Sequence, residues 1–353
     1  MRVSVIPVLA VILLSSPASL AQGPVEFDYQ LYYMKENKVR VSLSFHPVET
    51  DSTVFTYGEP DFGGQPDILN CLADFKVDAP ASFRSIPAER KFILYFTGSD
   101  TVKVEYTILD TSTRKKDVRQ ELFRPVISRD YFYTHGVNLF LNPHFRKDNK
   151  KAVISINWEK RPDFKLFYGF DPDNGGKKKS VSTTDSVMFS LITGAKDLTI
   201  DKFELHGIQN YIVLRGGVNQ AANRKAVRSY FTRFNESIRR FWNDYSDSCF
   251  SLVLQPFLQA DHNIGGVAFA NGFIGKYKAD TILNPQRIYT ISHEVGHHWL
   301  GHKLEMNISN QWFGEGFNDY ITFHSLVAAG LLTPAEYENR INEIMQLHYS
   351  SQI

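Results

Sequence analysis

Apolar and polar residues alternate with period two along much of the chain between Phe27 and Gly194. The clearest runs are KVRVSLSFHP (Lys38 to Pro47), KFILYF (Lys91 to Phe96), VKVEYTIL (Val102 to Leu109) and AVISINW (Ala152 to Trp158). Successive side chains of a strand point to opposite faces, so this pattern predicts half-buried strands. Polar clusters separate them: GEPDFGGQPD (Gly58 to Asp67), LNPHFRKDNKK (Leu141 to Lys151) and DPDNGGKKKS (Asp171 to Ser180). Clusters of that kind predict turns. Many short strands joined by polar turns predict an all-β, sandwich-like N-terminal domain. Lys177, Lys178 and Lys179 read most simply as a solvated loop tip.

Near residue 195 the texture changes. A strand pair around FELHGIQNYIVLRGG (Phe203 to Gly217) leads into a helix over Asn219 to Tyr245. There Val227, Tyr230, Phe231, Phe234, Ile238 and Phe241 recur at helical spacing. FSLVLQPF (Phe250 to Phe257) reads as a short buried strand. IGGVAFANGFIGKY (Ile264 to Tyr277) reads as an edge strand interrupted by glycines. Pro285 precedes a helix, a second begins near Trp312 and ends at Gly330, and a third starts at TPAEY. In that last run Thr333 suits the N-cap and Pro334 the first helical position. The fold class expected is α+β, with a β domain over residues 22–195 and a mixed domain over 196–353.

Composition adds class limits. The chain has 353 residues, 43% hydrophobic and 22% charged, enough for a sizeable core. A formal net charge of +1 gives no electrostatic reason to expect a nucleic-acid partner. The chain starts MRVSVIPVLAVILLSSPASLAQG, with Arg2, an apolar run from Val3 to Leu14, and a small-x-small site at Ser19-Leu20-Ala21. This predicts a signal peptide over residues 1–21 and a secreted or periplasmic protein. An uncleaved anchor is the alternative, though the run is short for a span. No later apolar run approaches spanning length, so no membrane span is expected after cleavage. Cys71 and Cys249 lie far apart and could pair in an oxidising compartment, or remain as two buried thiols. Nothing in the pattern speaks to oligomeric state.

The candidate chemistry sits in ISHEVGHHWLGHKLEMNISNQWFGEGFNDY, Ile291 to Tyr320. His293, Glu294 and His297 form an HExxH pentapeptide. On a helix, residues four apart share a face, so two imidazoles can hold one Zn²⁺ through neutral nitrogens. Glu294 would lean beside the metal without binding it and serve as general base. His298 and His302 are also four apart, but Trp299 follows His298, so that rival pair lacks an adjacent base. A third histidine in the metzincin register is excluded, because Leu300 and Lys303 occupy the required positions. The remaining option is a carboxylate from the following helix. Glu315 lies beyond residues 298–314, a linker long enough to bring a second helix alongside. Asp319, four residues on, shares its face and is placed to accept from a ligand histidine's other nitrogen. Trp299, Trp312 and Phe317 read as core residues packing the two helices.

These motifs resemble the two-helix zinc peptidases whose third ligand is a glutamate. The sequence is most similar to the glycyl aminopeptidase family, with the aminopeptidase N family a close relative. The specific match covers HEVGHHW and WFGEGFNDYITFHSLVAAGLLTPAEYENRI. FELHGIQNYIVLRGG resembles the glycyl family in layout. The resemblance implies one Zn²⁺, an N-terminal β domain and a thermolysin-like catalytic domain whose C-terminal helical part is here short or truncated. It also implies substrate contact at Gly265, Gly266, Val267 and Ala268, the counterpart of a glycine-containing edge-strand motif. Both families carry a glutamate there that recognises a free amino terminus. The run Gly265 to Asn271 contains none, so exo and endo cleavage both stay open.

The function expected is therefore a secreted, aminopeptidase-like zinc metallopeptidase acting on peptides or proteins. Two other readings stay open: a catalytically silent, zinc-stabilised binding protein, and a zinc hydrolase of non-peptide bonds.

Overall fold

The computed structural model describes residues 25–350, apart from segments 35–36, 48–50, 60–61, 99, 112–117, 145–151, 160–162, 174–178, 182–183, 260–261, 279–282 and 305–310. The expected signal peptide, and Lys177 and Lys178, lie outside the described residues.

The first part of the chain is built from β1 (Val25–Met34), β2 (Lys38–Phe45), β3 (Ser52–Thr56), β4 (Leu72–Val77), β5 (Ser82–Ile86), β6 (Lys91–Tyr95) and β7 (Val102–Leu109). Next come a short helix, α1 (Val118–Phe123), then β8 (Val126–Ile127), β9 (Tyr131–His135), β10 (Asn142–His144), β11 (Ala152–Glu159), β12 (Lys165–Tyr168) and β13 (Lys179–Val181). A second short helix, α2 (Asp185–Met188), precedes β14 (Leu191–Ala195). A six-stranded sheet runs β13-β11-β1-β2-β7-β4, and two four-stranded sheets run β10-β3-β6-β5 and β12-β14-β9-β8.

Period two explains the sandwich. Phe27, Tyr29 and Leu31 of β1, and Val39, Val41, Leu43 and Phe45 of β2, all face one apolar cluster with Phe55, Phe92 and Leu94 of the opposing sheet. Phe55 meets Phe27 and Phe45 edge-on, at centroid distances of 6.2 and 5.4 Å. Two of the expected turn clusters contain strand: β10 lies inside Leu141 to Lys151, and β13 begins at Lys179. Both strands are three residues long, too short for an alternation signal.

The rest of the chain comprises β15 (Thr199–Leu205), β16 (Ile208–Leu214), α3 (Ala221–Trp242), β17 (Cys249–Pro256), β18 (Ile264–Phe269), β19 (Gly272–Tyr277), α4 (Pro285–Gly296), α5 (Gln311–Ala328) and α6 (Pro334–Ser350). Its sheet runs β15-β16-β17-β19-β18. The stretch Ile264 to Tyr277 is therefore a hairpin of two strands, not one interrupted strand. The turn falls at Ala270-Asn271, directly before Gly272. The edge strand is β18 alone.

This sheet is covered on both faces. Ile212, Leu214, Leu252 and Leu254 pack under α3, α4 and α5, with Val227, Phe231, Phe234, Ile291, Val295 and Ile321. Tyr211, Val213, Val253, Val267 and Ile274 face the other way, onto Tyr131, Tyr133, Leu191 and Ala195 of β9 and β14. Burial on two faces accounts for the nearly unbroken apolar runs of β16 and β17. Residues on both sides of position 195 thus share one core. Glu121 of α1, fully buried, reinforces the junction: its carboxylate accepts from the backbone N–H of Leu258 at 2.8 Å and of Gln259 at 2.6 Å. Cys71 is buried and Cys249 half-buried, and no disulfide joins them.

Four of the helix caps and faces follow directly from local chemistry. In α3 the expected apolar residues are buried except Phe241, 38% exposed near the helix end. Asn243 caps that end in the left-handed region at φ 48°. Asn284 caps α4, its Oδ1 accepting from the N–H of Arg287 at 2.9 Å. Thr333 and Glu336 form a reciprocal capping box on α6, at 2.8 and 3.2 Å.

Phe231 is fully buried between Phe203 and Phe250 at the centre of the helix-side core. Phe231→Ala should lower unfolding free energy by about 3–5 kcal/mol, the usual cost of emptying such a site. Urea unfolding checks this; a loss under about 1 kcal/mol would mean α3 does not pack as described.

Candidate metal centre

Helix α4 turns Ile291 and Val295 into the core and leaves Tyr289, His293 and His297 on another face. His297 follows the last residue of α4 but keeps helical geometry, at φ −62° and ψ −13°, so the one-turn spacing from His293 survives. Helix α5 packs against both α3 and α4 and presents Glu315, Asn318 and Asp319 to α4.

Three donor atoms converge. His293 Nε2 stands 3.1 Å from Glu315 Oε2 and 3.2 Å from His297 Nε2. His297 Nε2 is 3.6 Å from Glu315 Oε2. Among the described residues this is the one group of three or more His, Cys, Asp or Glu side chains able to share an ion. Ligands about 2.0–2.1 Å from a tetrahedral Zn²⁺ stand about 3.3–3.4 Å apart. The triangle therefore has the size such an ion needs.

The opposite ring nitrogens set the tautomers. His293 Nδ1 donates to Asp319 Oδ1 at 2.6 Å, and His297 Nδ1 donates to the carbonyl of Leu300 at 3.1 Å. With Nδ1 occupied as a donor, each Nε2 is left as the lone-pair nitrogen a cation requires. Asp319 also accepts from the Tyr289 hydroxyl at 2.5 Å, and Tyr289 stacks on Phe323 at 5.0 Å. Glu315 is 48% exposed, so the triangle is open to solvent on its side. Glu294 lies beside it, half-buried. Burial pushes its carboxyl up to about 7, with His293 opposing and Glu315 adding to the rise. A carboxylate with that affinity for protons can both accept and return one near neutrality.

The rival histidine pair is not a pair. His298 is buried and its Nε2 meets Asp247 Oδ2 at 2.8 Å, while His302 lies exposed on the following turn. Asp247 also accepts from Arg239 at 2.8 Å and from Lys303 at 2.9 Å. Asp244 accepts from Trp299 Nε1 at 2.7 Å and from Lys303. This network ties the turn after α4 to the loop after α3.

Of the three expected packing aromatics, Trp299 is buried and Phe317 half-buried against the core. Trp312 is not a core residue: it is 76% exposed in the first turn of α5, beside the exposed Phe313. Gly265, Gly266, Val267 and Ala268 lie on the edge strand β18, against which α4 packs. A Cβ on Gly266 would come within 2.2 Å of the Phe273 ring, and one on Gly265 within 2.9 Å of Val118, so packing alone demands both glycines.

Sequence reasoning missed Tyr289, Gly296, Leu300 and Asn318. Tyr289 precedes His293 by one helical turn, a spacing that could have flagged it. The backbone carbonyl of Leu300 and the amide of Asn318 carry no such signal.

No family model matches the sequence, and no curated protein matches it. Solved structures do. One is the crystal structure of an aminopeptidase N family protein from Idiomarina loihiensis, with TM-score 0.70 and 15% sequence identity over 89% of this chain and 56% of that one. The fold is aminopeptidase N-like. At this identity the likeness concerns fold, and this chain spans little more than half the length of that protein.

Asp244 and Asp247 predict an acid response. Burial raises both carboxyls, but hydrogen bonds from Lys303 and Ser246 to Asp244, and from His298, Lys303 and Arg239 to Asp247, outweigh it and hold both below the usual carboxylate range. A carboxyl depressed by folding stabilises above its unfolded value of about 3.9 and loses that contribution as pH falls towards the folded one. Melting temperature should therefore drop below about pH 4, and Asp247→Asn should melt lower at pH 7 with a shallower acid slope. An unchanged slope in the variant would remove Asp247 from the account.

Proposed function

We propose that the chain is a zinc-dependent metallopeptidase, aminopeptidase-like, working outside the cytoplasm. The observation that carries this reading is the convergence of His293 Nε2, His297 Nε2 and Glu315 Oε2 at separations of 3.1, 3.2 and 3.6 Å, with both imidazoles held in the ligating tautomer. These three side chains would hold the ion. When bound, zinc supplies Lewis acidity, lowering the pKa of water and drawing electrons from a scissile carbonyl. Glu294 takes the proton of the attacking water on its carboxylate and passes it to the nitrogen of the departing amine. Its proton affinity, raised by burial, suits both transfers. Asp319 holds His293 in place through Nδ1, and Tyr289 holds Asp319.

The edge strand β18 supports a peptide as substrate. One side of it pairs with β19, and the other side of a sheet edge offers unpaired backbone groups along which an extended chain can align. Gly265, Gly266, Val267 and Ala268 are the residues we assign to that contact. Secretion rests on the segment 1–21. No helix among the described residues is long and apolar enough to cross a membrane.

The test is Glu294→Gln in the full chain. Elemental analysis should find about one zinc per chain in both proteins, whereas cleavage of a mixed peptide library should fall by roughly 10²–10⁴-fold in the variant. A wild-type protein that takes up no transition metal, or a variant that cuts as fast as wild type, would end this reading.

A further inference from the structure

We infer that Asn318 is a positioning residue that sets the distance and register between the two ligand-bearing helices, and that Gly296 is the site on α4 shaped to receive it. The inference rests on the zinc reading above. Asn318 is fully buried on α5, three residues after Glu315 and next to Asp319. Its Nδ2 donates to the backbone carbonyl of His293 at 2.7 Å. Among the described residues its Oδ1 has no conventional donor. That oxygen sits over Gly296, where an added Cβ would lie 2.1 Å from it. The hydrogen that glycine carries in that direction points at the amide oxygen, a weak Cα–H···O contact.

One side chain thus grips α4 at two points. The first belongs to the ligand His293; the second immediately precedes the ligand His297. Any other residue at 296 would push α5 outward, and Glu315 with it. A shorter residue at 318 would leave α5 free to slide along α4, because a buried amide bonded to a fixed carbonyl specifies register where apolar contacts alone do not. Buried acceptors normally find a donor. An Oδ1 left without one is explained if close approach of the helices is what the site needs.

The experiment uses the full chain, Zn²⁺ titrated against a competing chelator, and the Co²⁺-substituted protein as a spectroscopic report of ligand geometry. Asn318→Ala and Gly296→Ala should each weaken zinc binding by roughly 10–100-fold, the range seen when groups that orient metal ligands are removed. Each should also shift the visible Co²⁺ band. Gly296→Ala combined with Asn318→Ala should bind no more weakly than Asn318→Ala alone, since the new methyl enters the space the amide leaves. Asn318→Ser, too short to reach His293 and too small to clash, replaces the alanine variant if the latter loses its cooperative metal-free melt. Variants that lower only the metal-free melting temperature, with zinc affinity within about twofold of wild type, would assign Asn318 a merely structural role and overturn the inference while the zinc reading stands. Additive losses in the double variant would also overturn it. A wild-type chain that binds no zinc would sink the zinc reading and this inference together.

Discussion

The close approach of α4 to α5 is the constraint on which the candidate centre depends. Two imidazoles on one helix define a line; only a third donor from another element turns it into a site. That donor, Glu315, reaches the histidines because α4 carries no side chain at Gly296, where the Asn318 amide of α5 seats, and because Ile291 and Val295 on one side and Ile321 on the other share an apolar core over the sheet. The core supplies the attraction and the glycine permits the distance. The polar contacts then choose among the packings that hydrophobic burial alone would tolerate.

Charge gives the arrangement its direction. Glu294, Glu315 and Asp319 crowd around two imidazoles, so a cation at the triangle would offset the repulsion among the three carboxylates. Asp319 is engaged on the far side of His293, and Tyr289 shares it, which keeps that carboxylate from competing for the ion. Glu294 answers the same surroundings differently. Among the described residues it has no donor of that kind, and burial raises its proton affinity. Two acids one helix apart therefore differ in behaviour because their partners differ.

Much of this was legible from spacing. The strands at Lys38, Lys91, Val102 and Ala152, the helix at 221–242 and the shared face of His293 and His297 follow from periods of two and 3.6 residues, whereas Glu315 is reached through the linker that can bring a second helix alongside. What spacing could not convey was depth and partnership. Trp312 reads as core because it is aromatic and opens a packed helix, yet a first turn can project beyond the neighbour it packs against. The hairpin at Ile264 was hidden because glycines recur along it, at 265, 266, 272 and 275, so that Asn271-Gly272 does not stand out as its turn. Leu300 contributes a carbonyl, which any residue has, so no sequence pattern could single it out. Asn318 reads as an ordinary polar residue until α4 is placed beside it.

The layer formed by β9 and β14 carries one more consequence. All five residues of each strand are buried, because one face meets the sandwich and the other meets the sheet under the helices. Cutting the chain near residue 195 would strip Tyr211, Val213, Val253 and Ile274 of their cover and leave a wide apolar surface in water. The helical half is thus not a portable module. Anyone wishing to transplant or minimise it must bring the β layer along, or resurface the underside of its sheet first.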